Sequence, residues 1–106
     1  MSYQSFSRAM HQSMEAMMRE MHASPPTGSA DRDFLGMMIP HHAGAVEMAR
    51  LVLAEGRDPL VRQLAEEIIA GQTTEIAAMQ ARLQRLMRGD EPNPDGFPAL
   101  GSTRGG

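Results

Sequence analysis

A chain of 106 residues with a formal charge of −3 is enough for one domain, and all ten of its basic residues are arginines scattered among acids. That scatter offers no basic stripe, so nucleic acid is not an expected partner, and no apolar run approaches the length of a membrane span. Cysteine is absent, which removes disulfides, thiolate nucleophiles and thiolate-ligated metals, whereas methionine occurs 11 times. Methionine either fills irregular gaps in a core or supplies soft sulfur ligands, and composition alone does not choose between them.

The opening stretch MSYQSFSRAM lacks the charged-then-apolar order of a signal peptide, so the expectation is either a mature periplasmic or otherwise exported chain whose leader has been removed, or else a cytoplasmic one. Tyr3, Phe6, Met10, Met14, Met17 and Met21 recur every three or four residues, which predicts a first helix over about 3–22. His11, Met18 and His22 flank that stripe as an accessory set of donors. The segment ASPPTGS at 23–29 then breaks the pattern with two prolines and a glycine.

A second helix is predicted over about 31–55, with Asp31 and Asp33 in the first turn where the helix dipole favours acids. Gly56, Asp58 and Pro59 suit the end of one helix, the N-cap of the next and its first residue. EGRDP therefore reads as a tight turn, and a third helix is predicted over about 59–88. Residues 89–106 are rich in proline and glycine and read as an irregular tail, with Phe97 and Leu100 apolar enough to dock on the helices. The expected fold is all-α: one domain over 1–88, a helical bundle built on a long antiparallel hairpin. Three helices leave apolar surface uncovered, and a homodimer is the expected remedy.

Within the second helix, Phe34, Met38, His41, Ala45, Met48 and Val52 form one apolar stripe, and Leu35, Ile39, His42, Val46, Ala49 and Leu53 form its neighbour. Both histidines thus stand where core residues are expected. Met37, His41 and Met48 line up on one side, with Gly44 small enough to let another helix approach. Pro40 crowds the carbonyl four residues earlier, at Gly36, so a bend is expected just before the histidines. On the third helix, Gln72 and Glu75 interrupt an apolar face. A turn centred between Gly56 and Arg57 pairs residues whose numbers sum to 113, which sets His41 opposite Gln72, His42 opposite Gly71 and Met38 opposite Glu75. Buried polar groups without partners cost roughly 1–3 kcal/mol each, so these are expected to bond one another or a ligand.

No Glu-x-x-His pair suggests a di-iron centre, no His-Glu-x-x-His suggests a zinc protease, and no spacing suggests a nucleophilic triad. An enzyme is therefore not expected. Imidazole and thioether remain, the donor set favoured by copper(I) and silver(I).

The stretches DFLGMMIPHHAGAVEMA and EEIIAGQTTEIAAM resemble the domain of unknown function 305 family. Its pattern is an aromatic, Met-Ile-x-His-His and a later Met-Ala, then Gln-x-x-Glu-Ile-x-x-Met. Here these are Phe34, Met38, Ile39, His41, His42, Met48 and Ala49, followed by Gln72, Glu75, Ile76 and Met79. The resemblance covers about residues 31–86. It implies a ferritin-like helical bundle, frequent export in bacteria, and copper or silver binding and tolerance in some members.

The combined expectation is a metal-binding protein for copper(I) or silver(I), a chaperone or sequestering module. Met37, Met38, His41 and Met48 are its leading ligand candidates, followed by His42 and Met79. Gln72 and Glu75 would orient an imidazole by accepting its other N–H. A helical interaction module with structural histidines is the alternative, and a haem bundle with His/Met axial ligands a remote one.

Overall fold

Ser2 starts the first helix of the computed structural model, which describes residues 2–89. Its hydroxyl accepts the Ser5 N–H while Ser5 reaches back to the Ser2 N–H, a reciprocal cap that satisfies two otherwise orphaned donors. Helix α1 (Tyr3–Ala23) runs to the Pro-Pro segment. Ser29 then caps α2 (Ala30–Glu55) through the Arg32 N–H, and Asp58 caps α3 (Pro59–Met87) through the Val61 N–H. The three predicted helices are present, with their ends within a residue of the expected positions. Helix α2 continues unbroken across Pro40. The expected docking of Phe97 and Leu100 falls among residues 90–106, outside the described part of the chain.

The hairpin turn depends on Gly56. Its N–H donates to the Val52 carbonyl at 2.6 Å, and a Cβ there would lie 2.7 Å from that same oxygen, so only glycine fits this close approach. From α3, the Arg62 guanidinium donates to the carbonyls of Leu53 and Gly56 at 2.7 and 2.9 Å, closing the open end of α2. Arg32 on α2 does the same for α3, donating to the Leu86 carbonyl at 2.8 Å. The hairpin is thus fastened at both ends by an arginine of one helix on the last carbonyls of the other.

Helix α2 lies in the middle. It packs against α3 through Val46 and Ala49, with Ala65 buried on the facing side, and against α1 at Gly44. Met17 fills the space above Gly44 so closely that a Cβ would lie 2.5 Å from its sulfur. Helices α1 and α3 do not pack on each other, and the molecule measures 51 × 30 × 15 Å. The expected all-α hairpin architecture is present, but the described residues form an open layer rather than a closed ring of helices. Among the described residues only Val46, Ala49 and Ala65 are buried apolar side chains.

Helix geometry assigns the two broad sides of this layer different chemistry. One carries Tyr3, Met14 and Met18 from α1, Phe34 from α2, and Leu64 and Ile68 from α3, all exposed. The other carries polar and charged residues such as Arg8, Glu20, Glu47, Arg50, Glu66 and Gln80, also exposed.

Candidate functional site

The two histidines project in different directions because successive residues on a helix point about 100° apart. His42 points along the layer toward α3. Its Nδ1–H donates to the Met38 carbonyl one turn earlier at 3.0 Å, and its Nε2 lies 2.8 Å from Glu75 Oε1. The imidazole is 14% exposed and the carboxylate 63% exposed, so the pair sits at the rim of the α2–α3 contact. Both ring nitrogens of His42 are engaged.

His41 points out of the layer. It is exposed, its ring centroid is 6.0 Å from that of His42, and neither of its nitrogens has a hydrogen-bond partner among the described residues. The expectation that both histidines occupy core positions is thus corrected for His41. The stripe that carries it is apolar, but no helix among the described residues covers that side.

The pairing by sums of 113 also shifts. His42, rather than Met38, is the α2 residue that reaches Glu75, because the long side chains of both bridge several residues of register. Gln72 is half-buried, and its Oε1 is enclosed with no hydrogen-bond partner among the described residues. It therefore does not orient either imidazole in this arrangement.

The thioethers divide into groups. Met38, Met48 and Met79 are half-buried, and Met37 is 46% exposed. Met37 and Met48 stand four residues before and seven after His41, on the same side of α2. Met37 also lines a cleft of about 470 Å³ with Met21 and Met87, where the ends of the three helices meet. The sequence singled out neither Met21 nor Met87 as a donor; a 66-residue separation between them left no local signal. Among the described residues, no three His, Asp or Glu side chains gather where they could hold a metal ion.

The α1 histidines follow a rule of their own. His11 Nδ1–H donates to the Ser7 carbonyl at 2.8 Å, and His22 Nδ1–H donates to the Met18 carbonyl at 2.9 Å. This bond leaves Nε2 as the ring's lone pair and fixes the direction in which it points. Met14 and Met18 lie between these histidines on the same exposed side of α1, so His11, Met14, Met18 and His22 form one stripe with spacings of three, four and four.

A family profile described as Domain of unknown function (DUF305) matches residues 1–83. The chain belongs to this family. The match takes in α1 as well as the hairpin, so it extends further toward the N-terminus than the double-histidine motif suggested by itself. An uncharacterised protein of Acanthamoeba polyphaga mimivirus is 40% identical over 53 residues, which is 50% of this chain and 35% of that protein. The chain therefore aligns with about a third of that relative's length. No helix among the described residues is long and apolar enough to cross a membrane.

Proposed function

We propose that this family member binds copper(I) or silver(I) through imidazole and thioether donors centred on His41, acting as a sequestering or chaperone module. One observation carries the reading: of the adjacent histidines, His41 alone keeps both ring nitrogens unengaged, and Met37 and Met48 share its side of α2. Neutral thioethers bind without losing a proton and match soft monovalent ions, whereas zinc favours imidazole, thiolate or carboxylate. His42 holds the motif in place through Met38 and Glu75, and Met79 lies on the facing helix. The His11–His22 stripe of α1 serves as an accessory site with the same donor chemistry. Export, which the resemblance to the family implies, goes with this reading.

The test is a competitive titration with each metal. Replacing Met48 by Leu conserves volume and should cost less than about 1.5 kcal/mol of folding stability. It should weaken silver(I) and copper(I) markedly and leave zinc nearly unchanged. A silver affinity that is unaltered in Met48→Leu removes that thioether from the site.

A second reading, an interaction module whose histidines are only structural, is favoured by the uncovered apolar side of the layer. It predicts no stoichiometric metal uptake at all. A second copy of the chain is the partner common to both readings.

A further inference from the structure

The apolar broad side of the layer includes an exposed seam on α3. Leu60, Val61, Leu64 and Ile68 are 62, 44, 51 and 40% exposed, while the α2-facing side of the same helix is occupied by Ala65, Ile69 and Ile76. Within α3, positions 61, 64, 68, 71 and 75 recur at alternating spacings of three and four, the period of a helix that pairs with another helix. Gly71 lies in that seam, and a Cβ there would meet nothing within 4 Å. Glycine inside a helix is unfavourable, and here no described residue takes the room it leaves. We propose that a second copy does: α3 packs antiparallel on the α3 of a symmetry-related partner, and the apolar broad sides of two layers close on each other.

The register follows from size and charge. With the two-fold axis level with Glu66, Leu64 faces the partner's Ile68, Val61 faces the partner's Gly71, and the partner's Glu75 comes level with the turn before α3 that carries Arg57. Shifting the pairing by one heptad brings that turn level with the partner's Ile68 or Arg82 instead, where Arg57 meets no opposite charge. Arg57 has no hydrogen bond or ion pair among the described residues, and Glu75 has only one oxygen engaged by His42. The partner's Arg57 thus reaches the carboxylate that holds the double-histidine motif. An outline of 51 × 30 Å is large enough to hold an interface of about 800 Å² per partner.

This inference stands apart from metal binding, and the experiment is run on the full chain in the presence of a chelator. Sedimentation velocity should show twice the 11.6 kDa chain mass. Leu64→Glu and Gly71→Leu should each raise the dimer dissociation constant by roughly tenfold or more. Helical circular dichroism should be retained in both variants, since both positions are exposed and neither is packed within the chain. The absence of native cysteine allows a register test: Leu64→Cys and Ile68→Cys chains should form interchain disulfides far more readily when mixed than either does alone. A monomer at every concentration overturns the proposal, as does a dimer that both α3 variants leave intact. A mixture that cross-links no better than its components overturns the register.

Discussion

At Asp33 one carboxylate oxygen accepts both the N–H and the hydroxyl of Thr27, at 2.9 and 2.8 Å, and ties the α1–α2 loop to the first turn of α2. The backbone bond first and the hydroxyl bond second hold its pKa below the ordinary 3.8. A carboxylate depressed in the folded state adds stability that is present above pH 3.8 and is lost as pH falls through the folded value. Carbon-detected titration should place the Asp33 carboxyl below its ordinary 3.8, and Thr27→Val, which removes the hydroxyl alone, should raise it partway. An Asp33 that titrates at its ordinary value in the parent chain contradicts the loop geometry.

At the scale of elements, two glycines of α2 make opposite predictions for the same substitution. Gly44→Ala forces a Cβ against the Met17 side chain, including its Cγ at 2.8 Å and Cβ at 3.1 Å, so α1 must move away. Overpacking of that kind should outweigh the gain in helix propensity, for a net loss of about 1–2 kcal/mol. Gly36→Ala enters open space and should gain about 0.5–1 kcal/mol. Urea denaturation of the two variants checks the contrast, and equal shifts would mean that Gly44 does not govern the α1–α2 approach. Arg62→Met retains the aliphatic stem but leaves the Leu53 and Gly56 carbonyls to water. Its expected cost is about 1–2 kcal/mol, read as a lower denaturation midpoint; an unchanged midpoint would show that water replaces the guanidinium without loss.

These elements were largely legible in the sequence. Periodicity located all three helices, and Gly56, Asp58 and Pro59 marked the hairpin turn, because caps and turns depend on local backbone chemistry. The antiparallel register brought the double-histidine motif and Glu75 to nearly one level, although it set Met38 rather than His42 opposite that carboxylate. The arginine fastenings were not legible, since whether a guanidinium reaches another helix's last carbonyl depends on packing. Periodicity also could not reveal that His41 is exposed. An apolar stripe reads the same whether its cover comes from its own chain or from elsewhere.

At the scale of the whole molecule, one layer of helices leaves its apolar side, with His41 upon it, open to whatever binds there. Domains ordinarily consist of at least two packed layers, and among the described residues this is the side left without a second one. The division of labour between adjacent histidines is the central claim, and it can be observed directly. Long-range proton–nitrogen correlation spectra of the imidazole side chains, recorded as silver(I) is added to the full chain, report each ring nitrogen separately. The account predicts that a His41 ring nitrogen shifts in proportion to bound silver. The His42 nitrogens should keep the signature of their bonds to Met38 and Glu75. A His41 signal that stays fixed through saturation, or a His42 signal that moves in its place, would contradict it.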